Sequence, residues 1–293
     1  VQLNKLIPAL KKIALQDDAN VNVDETWLRY HAYNKKRKTY MWCLVNRKAR
    51  IVIFFYEDTT DDEGVQKHGG RSRNVLKEFL GDAKIKSLQS DGYNVYMYLD
   101  NELMDIEHLC CLAHARAKFK YAYDRGSLQA RIFLELIAKL YGMEDTYRRE
   151  KLTADEIYSR RNSKETTEII DKIRTELYDL LANSDESRSE LMSKALNYLK
   201  TFWNQIFAYR NDGDYSIDNM AAERAIRPIT VQRKNSLFFG SVKGIQNSAI
   251  YNTFIETCKQ VGVSFRDYFC KLLKELKKGR TDYENLLPMT ICK

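Results

Sequence analysis

Residues 1–15, VQLNKLIPALKKIAL, carry apolar side chains at helical spacing and predict the end of a helix. The pattern then changes period. NVNVDET at 20–26 alternates apolar and polar positions and runs on into WLRYHAY at 27–33. TYMWCLVN at 39–46 and RIVIFFYED at 50–58 follow. All are rich in Val, Ile, Tyr, Phe and Trp, which suit a pleated, half-buried surface, and polar turns separate them, so they predict three strands. SRNVLKEFLGD (72–82) predicts a helix and KIKSLQSD (84–91) a short strand. YNVYMYLDN (93–101) predicts a helix, although its aromatics also suit a strand. IEHLCCLA (106–113) predicts a strand and HARAKFKYAYDR (114–125) a helix. The order suits a mixed α/β sheet whose first strands are antiparallel.

Residues 126–210 change character. Leu128, Ile132, Phe133, Leu136, Ile137, Leu140 and Tyr141 recur at three- and four-residue steps, one face of a helix. Thr153 with Glu156, and Ser187 with Glu190, fit the capping box and predict helices over 153–183 and 187–209. The block reads as a large all-α insertion. DYSIDNMAAERAIRP follows and predicts a short helix stopped or kinked at Pro228, because proline lacks the N–H that a helix interior needs. Helices over 244–260 and 264–278 complete the pattern. The expected organisation is thus an upstream helix end at 1–15, the first part of an α/β core at 16–125, the insertion at 126–210, the rest of the core at 211–278 and a tail at 279–293.

Composition narrows the function classes. The chain has 293 residues, 44% hydrophobic and 30% charged, enough to bury a core and unlike a disordered tail. The longest apolar run is about the length of IVIFFY, far below the roughly 18 residues of a membrane span, so no membrane partner is expected. No signal peptide is visible. Six cysteines are too dilute for a disulfide scaffold and fit a reducing cytoplasm. A net charge of +8 leans modestly towards a polyanionic partner.

Three acids stand out by position. Asp24 ends the apolar alternation of VNVD, where a carboxylate points off the sheet or into a cleft. Asp91 ends KSLQSD before Gly92; a tight Asp-Gly turn is the alternative. Glu223 lies beside Arg224 and Arg227, and a surface ion pair with Arg227 is its alternative. Together, three carboxylates from two strand ends and a helix make a hard-oxygen set that suits Mg²⁺. EHLCCLAH holds His108, Cys110, Cys111 and His114 within seven residues, but alternation along a strand keeps all four from one ion. The remaining cysteines read as packing residues. YNKKRKTY places Lys35, Lys36, Arg37 and Lys38 in one turn, either a solvated hairpin tip or a phosphate-gripping loop. Arg224, Arg227, Arg233 and Lys234 follow Glu223 closely. Phe238 and Phe239 read as core rather than as base-stacking platforms.

VDET, SDGYNVY, CLAHARAKF, DNMAAERAIRP, RKNSLFFGS and YNTFIETCKQVGVSFRDYFCKLL occur in that order. Together they resemble the transposases of the insertion sequence 66 family, bacterial mobile-element enzymes with a DDE-type catalytic domain, over about residues 15–278. The resemblance implies a ribonuclease-H-like α/β fold, with a helical insertion between the second acid and the third. It implies that Asp24, Asp91 and Glu223 are the catalytic acids and hold Mg²⁺ or Mn²⁺, two ions in all. It maps a Cys-x-x-His motif onto Cys111 and His114 near the catalytic centre, where His114 contacts a phosphate, orients a carboxylate or merely caps its helix. Its partners would be DNA at the element ends and target, accessory transposition proteins and further copies of the chain, in the bacterial cytoplasm. The chain departs from the family's pattern at Met220, where Asn is expected. Only 23 residues precede Asp24, so the end-recognising N-terminal region of full-length relatives is expected to be missing. A nuclease that cuts without joining, and a remnant that only binds DNA, are the rival expectations.

Overall fold

The computed structural model describes residues 2–32, 35–56, 58–60, 66–68, 70–92, 106–183 and 189–292. The stretch YNVYMYLDN falls outside them. The chain divides into two compact units, one of residues 1–107 with 219–293 and one of residues 108–218.

The first unit is built on a mixed sheet. A 3₁₀ turn (Gln2–Leu6) and α1 (Ile7–Ala14) precede β1 (Asn20–Ala32), β2 (Lys35–Asn46) and β3 (Ile51–Phe55). A small hairpin, β4 (Asp58–Thr60) with β5 (Gln66–His68), was not apparent from the sequence; α2 (Arg73–Leu80), β6 (Ser87–Ser90) and β7 (Glu107–Cys110) follow it. The five-stranded sheet has the order β3-β2-β1-β6-β7. β1 and β2 pair antiparallel, as do β2 and β3, whereas β6 runs parallel to β1. Lys35–Lys38 do not form a turn. They belong to β2 and pair with Ala32, His31, Tyr30 and Arg29. Lys38 lies over the Trp27 and Tyr40 rings at 5.8 and 5.3 Å, which favours the extended backbone over a solvated turn.

Helices cover both faces. One core joins the 3₁₀ turn, α1 and α2 to Val21, Val23, Trp42, Leu44, Ile51, Ile53 and Phe55. On the other face, Ala222, Ala225, Ile226 and Ile229 pack against Leu28, Met41, Cys43, Val52 and Phe54. These four belong to a third helix, α9 (Met220–Ser236), which runs through Pro228 instead of stopping there. Burial on both sides of the proline outweighs its lost hydrogen bond, a local cost of about 3 kcal/mol.

The outer strand β3 is closed by α10 (Val242–Val261). Thr253 Oγ1 accepts from Phe54 N at 2.8 Å, and Thr257 Oγ1 accepts from Val52 N at 3.1 Å and donates to Val52 O at 3.0 Å. Residues four apart on a helix thus meet residues two apart on a strand, each satisfying a backbone group that β2 does not reach. The chain continues through α11 (Phe265–Lys277) to α12 (Pro288–Ile291).

The second unit is helical beyond its β7 residues: α3 (Leu112–Asp124), α4 (Ala130–Glu150), α5 (Ala154–Arg161), α6 (Lys164–Ala182), α7 (Glu190–Thr201) and α8 (Trp203–Phe207). The expected periodicity is present in α4, where Phe133, Leu136, Ile137 and Leu140 are buried and Phe133 stacks on Phe119 of α3 at 4.3 Å, whereas Leu128 precedes the helix and is exposed. The Thr153–Glu156 capping box forms. The single helix expected over 153–183 is broken, because the Ser163 hydroxyl accepts from Thr166 N and starts α6 afresh. The helix expected from Ser187 starts at Glu190 with Ser189 as its cap, and Ser187 lies outside the described residues. Gly213 is required by close approach, since a Cβ there would lie 1.8 Å from Ala154 O.

Arg161 is the polar hub of this unit. It is 3% exposed, makes a two-pronged pair with Glu144 at 2.7 and 2.8 Å, and donates to the carbonyls of Tyr209, Asp212 and Tyr215. Arg161→Ala would strand Glu144 and three carbonyls, and the expected loss is about 3–5 kcal/mol of unfolding free energy. Lys120→Ala, which removes an exposed pair with Asp124, is expected to cost about 0.5 kcal/mol or less. Urea denaturation of both variants checks the contrast.

Candidate active site

Asp24 is not at the end of its strand, because β1 continues through it to Ala32. What ends near it is the pairing with β6, whose last pair is Asn22 with Gln89. Asp24 and Asp91 each lie two residues beyond that pair, on the side where β6 has its carboxyl end. Gly92 follows at φ +76°, a backbone conformation that glycine adopts without steric cost. Such carboxyl ends are where open α/β sheets place their ligands.

Glu223 arrives from the other chain segment. Asn219 caps α9, and Glu223 N donates to Asn219 O at 3.2 Å, which puts the acid in the first helical turn. Two further side chains join the segments that carry the three acids. Asn22 Nδ2 donates both to Gln89 Oε1 at 3.1 Å and to Asn219 Oδ1 at 3.0 Å, and Asn219 Nδ2 donates to Val23 O at 2.8 Å. Asn22, Gln89 and Asn219 are all buried. Sequence reasoning passed over these amides. Their signal was a polar residue placed two before each strand acid, in VNVD and QSD.

Further contacts fasten α9 along β1. Arg233 Nη1 donates to Thr26 Oγ1 at 2.9 Å and to Trp27 O at 3.0 Å, and its guanidinium lies 4.0 Å from the Trp27 ring centre. After the helix, Leu237 takes φ +57°, and Phe239 then bonds to Arg29 O and His31 N across a parallel bridge to Tyr30. Phe239 packs on the core as expected, whereas Phe238 is exposed and stacks on His31 at 4.1 Å.

The acids interact electrostatically. The Asp24 carboxyl is held well above the usual carboxylate range. Burial is the largest cause, followed by the charges of Glu25 and Asp91, with Glu223 adding less; the Glu25 N–H, 2.9 Å from Oδ1, opposes them. Glu25 itself is paired with Arg71 at 2.6 Å, an ion pair with a buried carboxylate and a partly exposed guanidinium that the sequence did not reveal. Cys43, opposite Asp24 on β2, is fully buried, and burial first and Asp24 next push its thiol up, so it is an inert packing residue. Among the other cysteines Cys270 is exposed, contrary to a packing role.

The basic residues divide. At about 100° per residue, Arg227 and Lys234 fall within about 40° of the direction of Glu223, about one and three turns further along α9. Both are exposed, as is Arg224, while Arg233 is committed to Thr26 and Trp27. Arg37 and Lys38 are exposed on β2, and Lys35 and Lys36 are placed by their backbone in the same strand. His114 lies in the second unit, in the first turn of α3, with its N–H donating to Cys111 O at 3.2 Å. Among the described residues no helix is long and apolar enough to cross a membrane.

A family model described as "Transposase IS66 family" matches residues 1–247. The chain is similar to three proteins of Sinorhizobium fredii (strain NBRC 101917 / NGR234) that carry the description "uncharacterized protein". It is 28% identical to y4jD over 212 residues, which cover 69% of this chain and 40% of y4jD. It is 27% identical to y4qI over 295 residues, covering 94% and 51%, and 30% identical to y4hP over 205 residues, covering 64% and 36%. The chain thus spans about half or less of the length of these curated relatives.

The raised Asp24 carboxyl carries a sign for stability. Between the unfolded and folded pKa values the native state holds more protons than the unfolded one, so stability falls as pH rises through that window. Asp24→Asn removes the cost and keeps an oxygen for the Glu25 N–H. In chelator the variant is expected to melt above the wild type at about pH 8, with the gap closing as pH falls towards about 4. Thermal melts across the series check this; coincident melts at the alkaline end would show that burying the charged form costs nothing.

Proposed function

The chain belongs to the IS66 transposase family, and on that premise we propose that it is the DDE-type catalytic part of a DNA transposase. The sheet order, with an antiparallel β1–β2–β3 and β6 parallel to β1, supports reading the core as ribonuclease-H-like. The observation that carries the proposal is the placement: Asp24 and Asp91 each lie two residues beyond the last β1–β6 pair, and the buried Asn22–Asn219 hydrogen bond ties the start of α9, which carries Glu223, to the same stretch of β1; burial and then the charges of Glu25, Asp91 and Glu223 raise the Asp24 carboxyl there. Carboxylates that repel one another at a strand's carboxyl end favour a bound cation, and perturbed acids of this kind concentrate at functional sites.

The donor set fits a hard divalent ion, being all oxygen and partly buried. Asp24, Asp91 and Glu223 would hold Mg²⁺ or Mn²⁺, two ions in the complete site. When bound, such ions activate the attacking oxygen and stabilise the leaving oxygen of a phosphodiester. The chain's own residues position the substrate. Arg227 and Lys234 continue the face of Glu223 and grip successive backbone phosphates, with Arg224 beside them. Arg233 stiffens this helix against β1. Lys35, Lys36, Arg37 and Lys38, consecutive on β2, are proposed as a second group of phosphate contacts. His114 is assigned a phosphate-contacting or carboxylate-orienting role on its motif alone. The reaction exchanges one P–O bond for another twice: water nicks the element end, and the freed 3′-hydroxyl then attacks target DNA. Accessory proteins and further copies of the chain would complete the assembly.

Two outcomes test the chemistry apart from the binding. Glu223→Gln keeps the side chain's shape and removes its charge, and is expected to retain DNA affinity while abolishing strand transfer from pre-cut 3′-hydroxyl ends. Neutralising Arg227 and Lys234 together is expected to weaken binding at every sequence and to reduce the slope of log affinity against log salt by about 1.8. Binding across a salt series beside a strand-transfer assay separates these phenotypes. With the wild-type chain, cleavage without joining would mean a nuclease, and binding alone would mean a remnant.

The ion requirement gives a further expectation. Mg²⁺ or Mn²⁺ supports strand transfer, exhaustive chelation abolishes it, and Ca²⁺, with its looser and higher coordination, suppresses it. Undiminished joining in chelator would exclude the carboxylate mechanism.

A further inference from the structure

We propose that Asn22, Gln89 and Asn219 are positioning residues that set the spacing of Asp24, Asp91 and Glu223 and thereby the site's affinity for divalent ions; this rests on the carboxylate reading above. The placement is regular. Asn22 precedes Asp24 by two residues on β1, Gln89 precedes Asp91 by two at the end of β6, and Asn219 precedes Glu223 by four at the start of α9. Each acid therefore follows an amide by one structural repeat of its own element, two for a strand and about four for a helix. One NH₂ group, that of Asn22, joins the other two amides at 3.1 and 3.0 Å. The spacing of the three segments that carry the acids is thereby tied to the amides below them.

The chemistry suits that task. The amide side chains are neutral, so they leave the charge of the acidic cluster unchanged, whereas a lysine linker would neutralise it. They are also directional. Val21 and Val23, the neighbours of Asn22 on β1, are fully packed in the core, and apolar contact of that kind would let β6 or α9 slide by fractions of an ångström. Asn219 is tied a second time, through its NH₂ group to Val23 O, so the helix start is fixed to two successive residues of β1. Outer partners of metal ligands characteristically govern affinity in this way.

Mn²⁺ binding to the full chain, followed by the electron paramagnetic resonance of the free ion, tests the role without DNA or turnover. Gln89→Met removes one acceptor at nearly constant volume, and Asn219→Ala removes both links to β1. Each is expected to weaken Mn²⁺ binding about tenfold or more, with a cooperative melt retained. Thr257→Val serves as the control: it unpairs Val52 on the outer strand, and is expected to lower the melting temperature while leaving Mn²⁺ affinity at the wild-type value. Wild-type affinity in the amide variants, or an equal loss in Thr257→Val, would overturn the positioning role. Should Asn219→Ala fail to fold, Gln89→Met decides alone. Wild-type affinity in Asp24→Asn would instead remove the carboxylate reading itself, and this inference with it.

Discussion

The register of β1 with β6 and with the start of α9 is the constraint on which the geometry of the first unit depends. Asp24, Asp91 and Glu223 come from a strand interior, a strand end and a helix start, and that register decides where each of them lies. Backbone and side-chain hydrogen bonds hold the three segments together. α9 is fastened to β1 at its start through Asn219, in its later turns through Arg233, and beyond its end through Phe239. Each fastening is modest, a net 0.5–1.5 kcal/mol for about any single hydrogen bond. Their distribution along one strand is what makes the helix register specific.

Buried charge is treated in two opposite ways in this chain. Arg161 is fully compensated by Glu144 and three carbonyls, and Glu25 is compensated by Arg71. These pairs are structural, since removing one partner strands the other. Asp24 lies next to Glu25 in sequence and yet is left under net repulsion. A carboxyl that carries such a cost beside a neighbour that avoids it has the perturbed environment that concentrates at functional sites, which is the ground for proposing Asp24 as a ligand.

The elements of the sheet were legible because their signals are local. Alternation in NVNVDET and the apolar run IVIFF mark strands without knowledge of their partners. The family's motifs drew attention to Asp24, Asp91 and Glu223, but their proximity depends on the parallel register of β1 with β6, which no local pattern encodes. The amides were missed for the same reason: an asparagine between two valines reads as merely polar until Gln89 and Asn219 are beside it. Where local rules misled, tertiary contacts had prevailed. Pro228 implied a helix stopped or kinked there, but the burial of Ala225, Ile226 and Ile229 carries α9 past it without a stop. Lys35–Lys38 implied a turn, but cross-strand pairing and the Trp27 and Tyr40 rings hold them in β2. Ser163 looked like an interior residue of one long helix and instead begins a second.

The threonines that close β3 have a consequence for biosynthesis. Ile51–Phe55 is an uncharged, strongly β-forming segment, and its free edge would be a template for pairing with other chains. The hydroxyl that satisfies Phe54 lies 199 residues further along the chain. At about 5–20 residues per second, the ribosome takes about 10–40 s to supply it. Throughout that interval the strand edge is complete on one side and open on the other, so the nascent chain carries an unpaired β-template until α10 has been made.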